Sequence, residues 1–426
     1  MRPIAMVAGA GLQPWRSRQE WLAMEQNAAA DGAAPGVRPR LARLYHLDAL
    51  RASMMLMGVF GHAAALDDGS DWFFNGIRGA SDLFRMACFF VVAGFFSAMV
   101  WLRSDWLGYF RNRLRQLAVP LVAALLLVVP VANWLVWRWH EGPIDFKTFI
   151  LSGPPYFSAA AMISWHSHMW FLAVLCVYSA LVPLLIAVLR LGLVQRMAGW
   201  VERQPVVARL WLLAALVGLG QLAMRAAWHG LGLPLLEATP LEFPVKSAFS
   251  YLPFFCVGLL AWLRPGIMAT LERTAWAPIV AGVVLAGAAY WALSGAAGEK
   301  ATTLAQLAQA VSWVPRGMLT VFIIAALMRL ALYLFQRPSP LLRLGTNMAL
   351  SFYIFHLPAV YAVALLVQPW LGSTRLVYPL VVLVVPPIMA LVHVLLIEPF
   401  APMRLLWTGR TDARTVMEPK QPVLAQ

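Results

Sequence analysis

Ten apolar runs, each near the length that crosses a bilayer, constrain this chain more than any other feature. They fall at roughly 46–66, 81–101, 117–137, 165–189, 210–228, 249–263, 276–295, 313–335, 347–367 and 378–397. A bilayer core takes about 20 apolar residues of helix, and a chain inside it must satisfy its backbone internally. The expected fold is all-α: a polytopic integral membrane helix bundle of about ten transmembrane helices. Charge content agrees, since only 12% of residues are charged, where a soluble domain carries about 25%. The sixth run is short and contains Pro253, which makes its boundaries the hardest to place.

A formal net charge of +14 points first to nucleic acid, but its placement points to a membrane. Arginines gather after even-numbered runs: Arg103, Arg111, Arg113 and Arg115, then Arg190, Arg196, Arg203 and Arg209, then Arg264 and Arg273, then Arg337 and Arg343. The intervening loops carry acids instead, such as Asp67, Asp68, Asp71, Glu141, Asp145, Glu237 and Glu242. Basic loops stay on the cytoplasmic side, so both termini are expected there, the lipid bilayer is the expected partner and nucleic acid is not. Residues 1–44, rich in Ala, Gly and Arg, read as a disordered cytoplasmic extension, residues 45–402 as the membrane domain and 403–426 as a cytoplasmic tail. Cys88, Cys176 and Cys256 all lie in apolar runs and read as small core residues, outside any disulfide or metal cluster.

The first run carries ionisable groups that lipid does not solvate. It reads Leu47-Asp48-Ala49-Leu50-Arg51 and continues to His62. At about 100° per residue, His62 returns to within about 20° of Arg51 three turns on, and Asp48 lies one turn before it. Such a stripe faces a bundle interior or a wet cavity, which makes it a candidate site. The plainer alternative is an Asp48–Arg51 pair at the helix mouth with His62 as an interfacial residue. In the second run Arg85 has Asp82 one turn away as a partner, and Gly94 permits close helix approach. Arg111, Arg113 and Arg115 precede Pro120 in a stretch read as a cytoplasmic loop; arginine forks suit phosphate, although topology alone accounts for basic residues there. His166 and His168 open the fourth run beside Trp170, with no acidic or cysteine partner at metal-ligand spacing, so no metal is expected. Ser351, Tyr353 and His356 in the ninth run, and Glu398 at the end of the tenth, are further polar groups at helix ends.

Together these pieces resemble the membrane-bound acyltransferase 3 family, from about residue 44 to 402. The likeness rests on Arg51 and His62 separated by ten residues, on the Phe–Gly motif of the second run and on the arginine-rich stretch. It also rests on Ser351-Phe352-Tyr353-Ile354-Phe355-His356 and on Ile397-Glu398-Pro399-Phe400. A narrower likeness, carried by residues 84–99 and by Ser167-His168-Met169-Trp170-Phe171-Leu172, is to the glucan succinyltransferase branch. Two departures stand out: alternating Arg111, Arg113 and Arg115 replace an R-x-x-R, and Glu398-Pro399 is a shortened Glu-Arg-Pro.

The resemblance implies a multi-pass enzyme of the bacterial inner membrane. It would move an acyl group from cytoplasmic acyl-CoA, succinyl-CoA or acetyl-CoA, to a periplasmic glucan hydroxyl. No tightly bound cofactor is implied, and glucan synthesis proteins are candidate partners. A sugar hydroxyl needs a positioned base, and a histidine titrating near neutrality suits that role. His62 is the expected base, with Asp48 and Arg51 orienting the site. Arg111, Arg113 and Arg115 are expected to grip the nucleotide end of CoA, and His168 and Trp170 to lie toward the acceptor. Two alternatives stand beside this reading: O-acetylation of another surface polysaccharide or lipopolysaccharide, and a glycan or small-solute transporter.

Overall fold

The structure is a computed structural model that describes residues 44–151, 165–237, 239, 241–296, 303–337 and 339–412. The expected disorder of 1–43 and the last part of the tail, 413–426, lie outside the described residues. Among those described, every regular element is helical. Nine helices are long and apolar enough to cross a membrane. With the helix that precedes them, they are α1 (Tyr45–Ala64), α2 (Trp72–Trp101), α3 (Trp106–His140), α4 (Ser167–Leu189), α5 (Val206–Gly230), α6 (Glu242–Leu263), α7 (Trp276–Gly295), α8 (Thr303–Leu334), α9 (Pro340–Leu371) and α10 (Thr374–Ile397). The exception, α1, carries Asp48, Arg51 and His62 and is packed against α2, α8, α9 and α10.

Two helix starts differ from expectation for physical reasons. The arginine stretch 109–116 is not a loop: α3 begins at Trp106, where the Asp105 side chain caps the Gly108 N–H at 2.9 Å. α6 is longer than its apolar run and passes through Pro253 unbroken, because Gly220 on α5 leaves room for the proline ring. Beyond the boundary drawn at residue 402, α11 (Ala401–Thr408) folds onto α3 and α9 and buries Arg404 and Trp407.

Three π-helical segments interrupt the long helices: Leu114–Ala118, Ala124–Val128 and His393–Ile397. Each is followed within two residues by a proline, Pro120, Pro130 or Pro399. A proline has no N–H to give the preceding turn and its ring crowds the carbonyl four residues back. Opening the ladder to i→i+5 bonds relieves both problems, and such bulges often sit at functional sites.

The most extensive helix contact is that of α2 with α6. It depends on two glycines. A methyl group at Gly94 would stand 2.2 Å from the Phe255 carbonyl oxygen, and one at Gly258 would stand 2.0 Å from that of Val91. Small residues let helix backbones approach where lipid supplies no hydrophobic drive between helices. At the arginine-bearing ends, the short helix Gly192–Arg203 exposes Leu193, Met197 and Trp200 at helical spacing. Such a face suits the bilayer interface. Nearby, His46 of α1 bonds Glu272 at 2.6 Å, tying α1 to the short helix Pro265–Arg273.

The Gly94–Gly258 crossing yields a test within one helix. Gly94→Ala should lose about 1–3 kcal/mol or more through overpacking. Gly79→Ala, on the same helix with open space around it, should be neutral or gain up to about 1 kcal/mol of helix propensity. Thermal unfolding followed by size-exclusion chromatography reads both; equal melting temperatures would contradict the close-crossing account.

Candidate active site

Three imidazoles from three helices meet inside the bundle. His62 of α1 and His356 of α9 have ring centroids 5.0 Å apart, His356 and His168 of α4 5.2 Å, and His62 and His168 6.1 Å. His356 uses its Nδ1–H on its own helix, donating to the Tyr353 and Phe352 carbonyls at 2.7 and 3.1 Å. That leaves its Nε2 as the lone-pair nitrogen, buried and without a hydrogen-bond partner. His168 donates Nε2–H to the Tyr353 and Ile354 carbonyls, both at 3.0 Å.

The Ile354 carbonyl is open to His168 for a reason written in the sequence. Its helical donor would be the N–H of residue 358, and residue 358 is proline. In an apolar medium an unpaired carbonyl costs several kcal/mol, so the His168 proton satisfies a defect that Pro358 creates. The approach of His168 is set by Ser167, whose φ of +46° is the one positive value among described non-glycine residues. This left-handed turn opens a short 3₁₀ segment, Ser167–Met169, that carries His168 inward. The Tyr353 hydroxyl completes the clasp by donating to the His168 carbonyl.

His62 differs from its two neighbours. Neither of its ring nitrogens has a hydrogen bond among the described residues, and the side chain is only partly buried. Arg85 does not pair with Asp82 as the spacing suggested; Asp82 is exposed, while Arg85 turns inward with its Nε buried and unpartnered. Arg85 Nη1 and His356 Nε2 lie 2.9 and 3.1 Å from the point where a side chain on Gly58 would begin. The absence of a side chain at Gly58 therefore lets guanidinium and imidazole stand side by side, one turn before His62.

On the arginine side of this centre lies a cavity of about 290 Å³ between α1, α2, α3, α4, α9 and the residues following α11. Three guanidinium groups line it: Arg51, Arg113 and Arg410. Arg51 is 3.5 Å from Asp48 and 5.8 Å from the Phe96 ring centre. Arg113 donates to Ser97 Oγ at 3.3 Å and lies over the Tyr109 ring at 5.4 Å. Arg410 pairs with Glu398 at 2.9 Å and donates to Thr408 Oγ1 at 3.2 Å. Toward the histidines the cavity is closed by Phe89, Phe171, Met55 and Tyr353. The Tyr353 ring is thus a wall of the cavity, while its carbonyl and hydroxyl hold His168.

The other residues singled out in the sequence divide. Arg111 and Arg115 stay exposed, because alternate residues on a helix point about 200° apart while i and i+4 share a face; Arg113 alone of the three enters the cavity. Trp170 stacks on Tyr251 at 5.7 Å, away from the histidines. Ser351 lies 2.9 Å from His393 Nδ1, and Glu398 reaches the other nitrogen of that ring at 3.5 Å, so these groups buttress Arg410. Sequence reasoning missed Arg410, His393, Gln116 and Asn347 as members of these clusters. Arg410 arrives by way of Gly409, at φ +64°, where a side chain would stand 2.4 Å from the Gln116 Cα. No periodicity reports such a turn; the signal available was the Gly-Arg pair after an apolar helix. Among the described residues, no group of three His, Cys, Asp or Glu side chains has the arrangement to hold a metal ion.

Comparison with known proteins places this geometry. Residues 44–394 match the acyltransferase 3 family model, described as an acyltransferase domain. Glucans biosynthesis protein C of Shigella dysenteriae serotype 1 (strain Sd197) is 27% identical over 239 residues, covering 53% of this chain and 60% of that protein. The protein of the same name from Escherichia coli (strain K12) gives the same figures. The alignment thus spans less than two thirds of either relative. No solved structure matches the chain.

The Pro358 argument is open to test. Pro358→Ala restores a helical donor to Ile354 and should raise thermal stability, since an interior proline costs a helix about 3 kcal/mol. The same change makes the carbonyl compete with His168 for its bond, and acyl-transfer turnover should fall by roughly tenfold, the value of about one such hydrogen bond. A less stable protein with unchanged turnover would show that Pro358 serves packing alone.

Proposed function

Because this chain belongs to the acyltransferase 3 family, we propose that it moves a succinyl group from acyl-CoA, bound at the arginine end, to a glucan hydroxyl arriving at the histidine end. The observation that carries this reading is the wall the two compartments share at Tyr353. A basic cavity suits the phosphates of a CoA ester, and a partly open imidazole beside it suits an alcohol nucleophile. The name of the relatives supports a glucan as acceptor. The alternation of basic and acidic loops supports the sidedness, with both termini and the arginine end cytoplasmic in the bacterial inner membrane.

Arg113 and Arg51 carry the donor's phosphates, with Arg410 held beside them by Glu398. Guanidinium forks match phosphate oxygens in geometry and charge. The pantetheine arm then directs its thioester past Met55 and Tyr353 toward the imidazoles. His168 and His356 each give one N–H to α9 and cannot rotate; His62 has no such tie and takes the hydroxyl proton. The sugar oxygen bonds to the thioester carbon, the C–S bond breaks, and the proton on His62 passes to the departing thiolate of CoA. Arg85 faces the negative charge that develops on the carbonyl oxygen. His356 Nε2, beside Arg85, keeps the guanidinium turned toward that oxygen.

Two measurements test this. With protein reconstituted in nanodiscs, succinyl-CoA and a glucan acceptor, thiol release and the acceptor's mass report turnover. His62→Gln should lower kcat by about 10²–10⁴-fold, the usual worth of a general base; a fully active variant removes His62 from the chemistry. Arg113→Gln should raise KM for succinyl-CoA by about tenfold or more with kcat little changed, as expected when a charged hydrogen bond to the donor is lost. In cells, mass spectrometry of periplasmic glucans after gene deletion should show loss of the succinyl increment. Unchanged glucans would move the acceptor to another surface polysaccharide.

A further inference from the structure

At the end of the bundle opposite the arginine cavity, hydrogen-bond donors outnumber acceptors. A second, smaller cavity of about 80 Å³ lies between the end of α5, the start of α6 and Trp313 of α8. Roughly 10–15 Å³ on this measure holds one water, so the space admits a compact polar group and is too small for a sugar ring with its substituents. Trp228 and Trp313 both line it, and the indole N–H of each is buried with no acceptor in reach. Trp228 itself is 3% exposed. A buried donor left unpaired costs about 1–3 kcal/mol, and here two converge on one space.

Cations surround these indoles. The Arg225 guanidinium lies 5.0 Å from the Trp313 ring centre and that of Arg316 4.7 Å. Lys246 stands 5.8 Å from the centre of Trp228. Lys246 has Glu242 as a partner at 3.4 Å. Arg225 and Arg316 have no hydrogen bond or salt bridge to any described residue; their contacts are with an aromatic face. Glu237 is the single carboxylate in the lining, against Arg225 and Lys246. Cation–π contacts orient a guanidinium without using its N–H groups, which leaves Arg225 a set of donors held beside the cavity.

We propose that this cavity is a phosphate-binding site, taking the phosphate of an ester or lipid headgroup at the face opposite the arginine end. Phosphate supplies the several acceptor oxygens that two indole N–H groups and a guanidinium lack, and its charge matches the excess of cations. Acceptors already on the protein do not meet this need. The Gln221 amide spends its Nε2–H on the Ser250 carbonyl at 3.3 Å, and its oxygen abuts Gly317. The site is separate from the proposed acyl transfer: between it and the histidine centre stand Tyr251 and Asp82, the latter within electrostatic reach of both Arg316 and Arg85.

Binding, read apart from activity, tests the proposal. Full-length protein in phosphatidylcholine nanodiscs is titrated with inorganic phosphate, using chloride at matched ionic strength as the blank, and its melting temperature is followed. The same protein in phosphatidylglycerol nanodiscs reports a lipid-borne phosphate. Arg225→Gln should weaken the phosphate response by about tenfold, as loss of a charged hydrogen bond implies. Trp313→Phe keeps the ring and removes the N–H, and should weaken it severalfold. Arg190→Gln, an exposed arginine at the other end, should change nothing. A saturable phosphate response with this pattern supports a soluble phosphate ester as ligand. Stabilisation by phosphatidylglycerol alone, lost in Arg225→Gln and Trp313→Phe, supports a lipid headgroup. If neither medium gives a response that depends on Arg225 and Trp313, the proposal fails, whatever the outcome for acyl transfer.

Discussion

One carbonyl governs the arrangement of this site. Ile354 has no helical donor because Pro358 follows it by four residues, and a bilayer offers no water to take the donor's place. His168 fills that need at 3.0 Å. To do so, α4 must start with a turn that is unusual for serine, Tyr353 must clasp the backbone of His168, and α9 must pass close to α1. His356 can then stand between the other two imidazoles. The histidine centre is therefore held by backbone geometry more than by contacts among side chains. The one imidazole not drawn into this bonding is His62.

The same economy runs through the polar groups elsewhere in the bundle. Charged residues at membrane depth are costly and are kept in pairs or in cavities. Asp48 accompanies Arg51, Glu398 accompanies Arg410, and Glu272 accompanies His46. Arg85 departs from that pattern, with an imidazole nitrogen as its neighbour in place of a carboxylate. A guanidinium left without a carboxylate keeps its full charge available to a reacting group. The asymmetry between Arg85 and the paired cations is the clearest electrostatic mark of where chemistry belongs.

Much of this was legible before any coordinates. Apolar runs place the helices because span length is imposed by the bilayer, and the positions of Arg51 and His62 follow from helical period. The arginine stretch misled for a definite reason: charge was read as loop, whereas Asp105 caps a helix there and Pro120 opens it into a π segment. Alternation at 111, 113 and 115 then decides which side chain turns inward. The union of His62, His168 and His356 could not be read, since it joins helices remote in sequence through carbonyls that carry no side-chain signature. Arg410 was hidden for a similar reason, being delivered by the left-handed turn at Gly409.

The π segments carry a consequence for how this chain tolerates change in length. Each such turn holds one residue more than an α turn. Losing a single residue from 114–118 would close the bulge into ordinary helix and rotate everything beyond it by about 100° relative to Arg113. The apolar helix downstream would then show lipid a different stripe, while the arginine kept its place. A one-residue deletion at 114–118 is thus a larger perturbation than most point substitutions in the same helix. A compensating insertion two or three residues away would be nearly silent, so register and not composition is what α3 has to preserve.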